Sequence, residues 1–322
     1  ANACTGETGL NDARHTAELV SKELGIRSED VLVASTGVIG QPLDMNLFSE
    51  AIPKLVNALS AEGMISVAQA IMTTDSFAKI SSFEGRAGGS AYGIMGIAKG
   101  AGMIMPNMAT MLCFVMSDIR MAAGDLRKAL LSSVEDSFNR ITVDGDTSTN
   151  DMVLVLANGM AENGPLSDED YQAFTDGLRK VLGDLSRMIV QDGEGATKVV
   201  NIKVKGAYSA LEAEKSARSV ANSSLVKTAF YGQDPNWGRI IAALGRAGIR
   251  MEEERVNIWI DDIQIVNHGL GIGVEAEKKA SGNMTGKEFS VTIDLEQGSF
   301  EDRIVTCDLT HDYVSINADY RT

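Results

Sequence analysis

The chain contains, in its first half, the stretch Lys99-Gly-Ala-Gly-Met-Ile-Met-Pro-Asn-Met-Ala-Thr-Met-Leu-Cys-Phe-Val-Met116. Its first part belongs to a glycine-dense run over residues 85–102, in which Lys99 stands alone among small residues. Glycine at this density lets backbone approach backbone or a ligand closely. Its second part is a short continuous apolar run, which is typical of a strand buried on both faces. The stretch therefore predicts a segment whose backbone other groups approach closely, followed by a buried strand.

The residues before this stretch predict two helices and a strand. Leu10, Ala17 and Leu24 belong to a helical apolar stripe that ends at Gly25, a good residue to follow a helix. The apolar run 31–34 indicates a buried strand that leads into a Thr36-Gly37 loop with exposed N–H groups. A second helix is expected over about residues 46–61.

The residues after the central stretch alternate between helical and strand patterns. An amphipathic helix is expected over 126–141, and a second one begins at Ser167, where Asp170 completes a capping box. Short strands are expected around 199–205, and the last quarter is strand-rich. The sequence predicts a mixed α/β fold in two packed units, with a boundary near residue 195.

Composition excludes several classes of protein. The chain has 322 residues, of which 44% are hydrophobic, so it can bury a substantial core. Its net charge of −15 opposes binding to nucleic acid or to an anionic membrane surface. The three histidines and three cysteines are scattered, which makes a zinc cluster or a disulfide framework improbable. We expect no metal, no nucleic acid and no membrane partner.

The apolar runs and the N-terminal residues predict the compartment in which the protein acts. No run approaches the ~20 apolar residues of a membrane helix, and no secretory signal pattern is present. A cytoplasmic protein is expected. Because the sequence starts at Ala1 instead of Met, with a turn and no preceding strand, we also expect its start to be cut.

Four features of the sequence favour ordinary structural interpretations. The loop 144–151 alternates polar residues like a calcium loop, but Thr149 stands where glycine is required, so a capped helix start is favoured. The glycines at 269–273 do not form a dinucleotide-binding motif, and the segment from Gly282 to Lys287 does not form a P-loop. Cys113 lies inside the apolar run and is expected to be a buried structural thiol.

Thr110 has a possible catalytic role that needs no histidine. A threonine at the first position of a chain can use its own α-amino group as the base that activates its hydroxyl. That amino group has a pKa of about 7.7–8.0, so it accepts a proton near neutral pH. The chemistry requires a self-cleaving bond, a small residue before the threonine and a rigid strand after it, and the pair Ala109-Thr110 meets these requirements.

Several motifs together resemble one family. The stretch 99–112 closely resembles the self-cleavage motif of the ornithine acetyltransferase family, also called ArgJ or bifunctional glutamate N-acetyltransferase. Further segments agree in family order along the whole chain: Asn2-Ala-Cys-Thr-Gly6, Ser35-Thr-Gly-Val-Ile-Gly40, Met72-Thr-Thr-Asp75, Asp144-Gly-Asp-Thr-Ser-Thr-Asn-Asp151, Gly193-Glu-Gly-Ala-Thr-Lys198, Gly232-Gln-Asp-Pro-Asn-Trp-Gly-Arg239, Thr306-Cys-Asp-Leu-Thr-His-Asp-Tyr313 and Asn317-Ala-Asp-Tyr-Arg-Thr322.

The resemblance implies a self-cleaving acyltransferase of arginine biosynthesis. The precursor would cut itself between Ala109 and Thr110, leaving an α piece (1–109) and a β piece (110–322). Thr110 would be the nucleophile that takes the acetyl group from N2-acetylornithine and passes it to glutamate. The family's oxyanion hole falls on Thr36 and Gly37, and its substrate contacts fall on Thr73, Lys99, Thr110, Glu194, Asn317 and Thr322.

The resemblance also implies a fold and an assembly. The fold would be a four-layer αββα sandwich of the DmpA/ornithine acetyltransferase type, over residues 1–195, with a smaller α/β domain over 196–322 whose tail returns to the site. No cofactor is expected, although acetyl-CoA is a possible co-substrate. The α and β pieces would associate as a multimer of αβ units.

Two alternatives stay open. One is a related self-processing aminopeptidase or amidase, which shares the nucleophile but hydrolyses its substrate. The other is a non-catalytic amino-acid binding protein, for which the chain would stay uncut. From the residues alone, a solvated turn residue is the favoured interpretation of Glu194, and the tail that holds Asn317 and Thr322 would fray.

Overall fold

The computed structural model describes residues 1–105 and 111–319, and it shows helices packed on two mixed β-sheets. The helices are α1 (Gly6–Leu24), α2 (Met45–Asn57), α3 (Met64–Ala70), α4 (Ala123–Glu135), α5 (Asp168–Gln191), α6 (Ala210–Ala221), α7 (Ser224–Tyr231), α8 (Trp237–Gly245), α9 (Val274–Asn283) and α10 (His311–Asp319). The strands are β1 (Lys79–Ala87), β2 (Ser90–Lys99), β3 (Leu112–Ser117), β4 (Met152–Ala157), β5 (Val199–Ala207), β6 (Asn257–Ile260), β7 (Ile263–Asn267), β8 (Leu270–Gly271), β9 (Glu288–Asp294) and β10 (Phe300–Cys307).

The first sheet has the strand order β1-β2-β3-β4. The glycine-dense run forms the hairpin of β1 and β2, and β3 pairs antiparallel with β2 and parallel with β4. The buried strand predicted from the central stretch is therefore confirmed as β3. Cys113 is fully buried there, and its burial raises the pKa of the thiol, as expected of a structural cysteine.

Helix α5 packs on β1 and β2 and covers one face of the first sheet. The predicted capping box is confirmed: the Ser167 hydroxyl accepts a hydrogen bond from the Asp170 N–H, and the Asp170 carboxylate accepts one from the Ser167 N–H. The side chains of Phe174, Leu178 and Leu185 are fully buried between the helix and the sheet core. Helix α4 packs against α5 on its outer side.

The second sheet has the strand order β10-β5-β9-β6-β7-β8, with α6 packed on β5 and β10. The strand-rich last quarter is confirmed, although α9 interrupts it. The mixed α/β class is thus confirmed. The buried hydrophobic residues form two clusters, one around each sheet, and most members of the first-sheet cluster precede residue 195. Val199 and Cys307 follow residue 195 but pack in the first-sheet cluster. The domain limits of 1–195 and 196–322 stay a prediction.

Several local expectations are wrong in detail. Residues 31–34 are extended but form no ladder with any described strand, and a strand needs a neighbour to pair with, so the predicted strand is absent. The predicted burial is also wrong, because the side chain of Leu32 is 60% exposed. Helix α2 ends at Asn57 instead of 61, since the chain turns towards α3. Helix α4 ends at Glu135, and a short 3₁₀ turn, Phe138–Arg140, replaces its last predicted turn.

The loop 144–151 also differs from its predicted role. No helix follows it, because β4 starts directly at Met152. The carboxylates of the loop accept backbone hydrogen bonds from neighbouring loops and not from a helix start. The capped helix start is therefore wrong. Among the described residues, no helix is both long and apolar enough to cross a membrane.

Candidate active site

A cavity of about 390 Å³ lies where β2 ends and the loops before α1, β1 and β4 converge. Every predicted site residue within the described ranges lines it: Thr36, Gly37, Thr73, Lys99, Glu194 and Asn317. The predicted cleavage residues Ala109 and Thr110 and the predicted contact Thr322 lie outside the described residues. The cavity therefore gathers side chains from points that are far apart in the sequence.

Lys99 supplies the positive charge of the cavity. It is the last residue of β2, directly opposite Leu112 of β3, and only 4% of it is exposed. Burial lowers the pKa of its ammonium group, although the nearby Asp75 carboxylate acts in the opposite direction. Within residues 1–105 and 111–319 its ammonium group has no hydrogen-bond partner, so it is available to an anionic group in the cavity.

A buried ion-pair cluster fixes the loop that carries Thr73. The Lys79 ammonium lies 2.6 Å from Asp75 Oδ1 and 2.5 Å from Asp192 Oδ2, and its side chain is fully buried. Asp75 also accepts hydrogen bonds from the Gly100 N–H (2.7 Å) and the Thr73 N–H (3.1 Å). The cluster thereby joins the Thr73 loop, the end of β2 and the end of α5.

The charge state of this cluster follows from its contacts. Burial raises the pKa of Asp75, but the Gly100 N–H and the Lys79 ammonium lower it by more, so the pKa lies below its ordinary value. Asp75 is therefore a carboxylate at neutral pH. A buried cation with two carboxylates is rigid because separating any of them leaves an unpaired charge.

Glu194 lines the same cavity and follows α5 in the chain. Its N–H donates to the Ala101 carbonyl (2.9 Å), and its Oε2 accepts a hydrogen bond from Asn317 Nδ2 (2.8 Å). A Cβ on Gly102 would lie 2.3 Å from the Glu194 carboxyl group, so any other residue there would displace this carboxyl group from its present position. Gly102 belongs to the glycine-dense run over 85–102, for which close approach was expected.

Helix α10 reaches the cavity because its start is tied to the turn after Glu194. Asp308 accepts hydrogen bonds from the N–H groups of Thr197 (2.8 Å) and Lys198 (3.0 Å). The Thr310 hydroxyl donates to the Gly195 carbonyl (2.7 Å). The tail is thereby anchored up to α10, where Tyr313 and Asn317 face the cavity.

Thr36 and Gly37 form part of the cavity wall. Gly37 has a φ of +133°, in the region that strongly favours glycine. The residue thus turns the backbone at the end of the extended segment 31–35. Backbone N–H groups in such a turn can serve as donors to a developing oxyanion.

The loop 144–151 holds both flanks of the predicted cleavage site. Upstream, Asp144 accepts hydrogen bonds from Met103 N (2.6 Å) and Ile104 N (2.9 Å). Downstream, Asp151 Oδ1 accepts one from Met111 N (2.5 Å), and the Met152 N–H donates to the Met111 carbonyl (2.9 Å). One loop therefore fixes the chain on each side of residues 106–110.

Asp151 is unusual among the carboxylates of the site. Its second oxygen, Oδ2, is buried and has no hydrogen-bond partner among the described residues. Burial raises the pKa of Asp151 to about 7, while the Met111 N–H and the Lys99 ammonium oppose that rise. Asp151 can consequently gain and lose a proton near neutral pH.

The cavity combines one buried cation with carboxylate, hydroxyl and amide groups. A small amino acid carries a carboxylate and an ammonium group, and both find an opposite charge here, on Lys99 and Glu194. Among the described residues, no cluster of histidine, cysteine and acidic side chains could hold a metal ion. The arrangement is suited to binding a small zwitterion.

Comparison with known proteins decides the family. The ArgJ family model matches residues 1–322. The chain belongs to the ArgJ family. Its relatives include the Arginine biosynthesis bifunctional protein ArgJ of Desulfotalea psychrophila, which is 51% identical over 100% of this chain and 82% of its own length. The protein of the same name from Syntrophotalea carbinolica is 53% identical, again over 100% of this chain and 82% of its own.

A solved ArgJ structure shares the fold. The crystal structure of the Arginine biosynthesis bifunctional protein ArgJ from Bacillus halodurans aligns with a TM-score of 0.61 and 42% sequence identity. The alignment covers 64% of this chain and 98% of the solved chain, so the solved chain is shorter than this ArgJ family member.

Sequence reasoning overlooked several residues of the ArgJ site. Lys79 and Asp192 carried no signal because their roles depend on partners that are distant in the chain, and Tyr313 lay inside a family motif but had no role assigned. Asp75, Asp144 and Asp151 lay inside motifs that resemble the family but had no role assigned.

Proposed function

We propose that this ArgJ family member is an acyltransferase of arginine biosynthesis that moves an acetyl group from N2-acetylornithine to glutamate. Thr110 would carry the acetyl group as an ester after the chain has cut itself between Ala109 and Thr110. The name of the relatives, Arginine biosynthesis bifunctional protein ArgJ, supports the pathway. Acetyl-CoA as a second acetyl donor would fit the word bifunctional in that name.

The observation that carries this proposal is the composition of the cavity wall. Lys99, Glu194 and the Thr36-Gly37 turn line one cavity. Met111, the neighbour of Thr110 in the chain, donates a hydrogen bond to Asp151. Asp151 borders a second pocket, which shares Asn150 with the cavity. A nucleophile at position 110 would then have charged groups for the substrate and N–H donors for its oxyanion within the same region. Removal of one such donor typically reduces the rate by ~10²–10³.

The chemical steps follow from these groups. The α-amino group of Thr110 would accept its hydroxyl proton while the oxygen attacks the acetyl carbonyl of N2-acetylornithine. Ornithine would leave with that proton, and glutamate would then attack the acetyl ester. We assign Lys99 to the substrate carboxylate, and Glu194 with Asn317 to a substrate amine. Thr36 and Gly37 would stabilise the oxyanion, and Thr73 and Thr322 would complete the substrate contacts.

The length of the solved Bacillus halodurans chain supports the cleavage. Its match to about two-thirds of this chain is the proportion expected for a β piece that starts at residue 110. We further propose that the α and β pieces act together in the cytoplasm as a multimer of αβ units.

The first experiment is an intact-mass measurement of the purified protein, with Thr110→Ala beside it. We expect two fragments that divide between 109 and 110 for the wild type, and one uncut chain for the variant. Ping-pong kinetics with N2-acetylornithine and glutamate would then establish transfer. A wild-type chain that stays whole, or that only hydrolyses N2-acetylornithine, would contradict the proposal and favour the binding protein or the amidase.

A further inference from the structure

Lys99 is a buried cation whose charge depends on its surroundings. Only 4% of the residue is exposed, and within the described ranges its ammonium group has no hydrogen-bond partner. A buried charge costs free energy unless an opposite charge lies nearby. Burial accordingly lowers the pKa of the Lys99 ammonium group, and the Asp75 carboxylate opposes this change more strongly than the Asp151 carboxylate does. Asp75 is therefore a main source of the negative charge that Lys99 needs.

Two further positive charges act against Lys99. The Lys79 ammonium group lowers the pKa of Lys99, and Lys99 in turn helps to lower the pKa of the α-amino group of Ala1, which lines the same cavity. Like charges that share a site disfavour each other's charged form. The region therefore requires more than one carboxylate.

A cluster of three buried side chains supplies this compensation: Asp75, Lys79 and Asp192, hereafter the Asp75 cluster. Lys79 Nζ lies 2.6 Å from Asp75 Oδ1 and 2.5 Å from Asp192 Oδ2, and none of the three side chains is more than 3% exposed. One ammonium group beside two carboxylates leaves an excess of one negative charge. Lys99 balances that excess, so the four side chains together are neutral.

The Asp75 cluster also holds the backbone that carries Lys99 and Thr73. Asp75 Oδ1 accepts a hydrogen bond from the N–H of Gly100, the residue after Lys99, at 2.7 Å. Asp75 Oδ2 accepts one from the Thr73 N–H at 3.1 Å. Lys99 and Thr73 both line the cavity, whereas no member of the cluster does. The cluster therefore acts on the cavity through these two neighbours.

Asp192 ties this arrangement to the long helix α5. It directly follows Gln191, the last residue of α5, and accepts a hydrogen bond from the Ser76 N–H at 3.0 Å. Lys79 then connects Asp192 to Asp75. A helix of 24 residues that packs on β1 and β2 thus supports the cluster.

We propose that the Asp75 cluster positions Lys99 for the substrate carboxylate, an inference that rests on the proposed function. Its three side chains keep Lys99 charged and hold it at the end of β2, so that its ammonium group meets the carboxylate of N2-acetylornithine. The cluster itself makes no contact with the substrate. It thereby determines how strongly the enzyme prefers a substrate with a carboxylate to one without.

The test compares N2-acetylornithine with its carboxamide, in which a neutral amide replaces the carboxylate. In Asp75→Asn we expect kcat/KM for N2-acetylornithine to fall by ~10- to 100-fold, mainly through KM, and kcat/KM for the carboxamide to change by less than about threefold. The preference of the wild type for the carboxylate should therefore largely disappear. Intact mass counts the cleaved protein, so that each rate refers to processed enzyme.

A Lys99→Met background shows whether the effect passes through Lys99. There, Asp75→Asn should cause less than about threefold further loss, because the substrate carboxylate has already lost its partner. Asp184→Asn is the matched control, since Asp184 of α5 likewise binds a lysine ammonium group and a serine hydroxyl but does not line the cavity. It should keep the wild-type preference.

A purely structural role of the cluster predicts a different result. Asp75→Asn would then reduce kcat/KM equally for N2-acetylornithine and its carboxamide, and its loss would add to that of Lys99→Met; either result overturns the proposal. If Asp75→Asn shows no cooperative thermal unfolding, Asp192→Asn decides by the same two comparisons, since asparagine keeps an oxygen that accepts from Ser76.

The wild type separates this inference from the proposed function. A wild-type protein that transfers no acetyl group would overturn the proposed function itself. Normal transfer by the wild type, with equal losses for both substrates in Asp75→Asn, would overturn only the role of the Asp75 cluster.

Discussion

Single residues set the charges that a substrate meets. Lys99 and Glu194 are both more than nine-tenths buried and line one cavity. Charged groups interact more strongly in such a site than in water. A substrate that carries a carboxylate and an ammonium group is therefore oriented by these two side chains.

Replacement of Glu194 by glutamine tests this orientation. A hydrogen bond to a charged group contributes about 1.5–3 kcal/mol, so kcat/KM for N2-acetylornithine should fall by roughly 10- to 100-fold. Self-cleavage should continue, because Thr110 remains. The matched variant Glu7→Gln on the exposed face of α1 should show wild-type kinetics. Unchanged steady-state kinetics in Glu194→Gln would remove this residue from the binding site.

Asp75 links stability to pH. Its pKa is below the ordinary value in the folded protein, so its contribution to stability is present above the unfolded-state pKa of about 4 and is lost as the pH falls below it. Asp75→Asn should lower the free energy of unfolding by about 3–5 kcal/mol at pH 7, because Lys79 loses a buried partner.

Urea unfolding between pH 7 and 3 measures this effect. The difference between wild type and Asp75→Asn should shrink on acidification, since the wild type alone loses this carboxylate. Asp44→Asn is the control, because asparagine caps a helix as well as aspartate does and should change little. A difference that stays constant with pH would show that the ion pair is not responsible.

Helix α10 is the element that completes the cavity. Its approach depends on Gly195, which has a φ of +68°; a Cβ there would lie 2.6 Å from Tyr313 N and 2.8 Å from Thr310 Oγ1. Neither a backbone nitrogen nor a bonded hydroxyl can easily move away. The close contact between the turn and the start of α10 therefore requires glycine.

Gly195→Ala should displace α10 from the cavity. We expect a several-fold increase in KM together with a loss of about 1–3 kcal/mol of stability from backbone strain. Gly25→Ala is a matched control, since Gly25 has a φ of +66° but no atom within 4 Å of a Cβ. It should lose stability and keep its KM. An equal effect of both variants on KM would argue against the contact with α10.

The whole molecule is divided by the predicted cut through its first sheet. Strands β1 and β2 belong to the α piece, and β3 and β4 belong to the β piece. The antiparallel ladder between β2 and β3 runs from Ile94 to Lys99, and α5 of the β piece covers β1 and β2. The two pieces therefore share one core.

The pieces should stay together after cleavage and separate only when the core unfolds. Size-exclusion chromatography of the cleaved protein in increasing urea should show both pieces in one peak until the unfolding transition. The loss of intrinsic fluorescence that reports unfolding should occur at the same urea concentration as the separation of the two pieces. A folded β piece that elutes alone without denaturant would contradict a shared core.

Local sequence determined the parts of the fold whose contacts are local. The end of α1 at Gly25, the capping box at Ser167 and the buried strand after residue 110 each depend on a few neighbouring residues, and each is present. The cavity residues in the family motifs were also visible in the sequence. The residue types in these motifs and their order along the chain identified them.

Tertiary structure decided the contacts between distant segments. It joined Lys79 to Asp192, placed Asp151 against Met111 and brought Asn317 to Glu194. It also left 31–34 without a ladder partner among the described strands, despite their apolar pattern. The physical reason is that an ion pair, a ladder or a buried carboxylate acquires its energy from a partner, and the partner's position depends on how the whole chain folds.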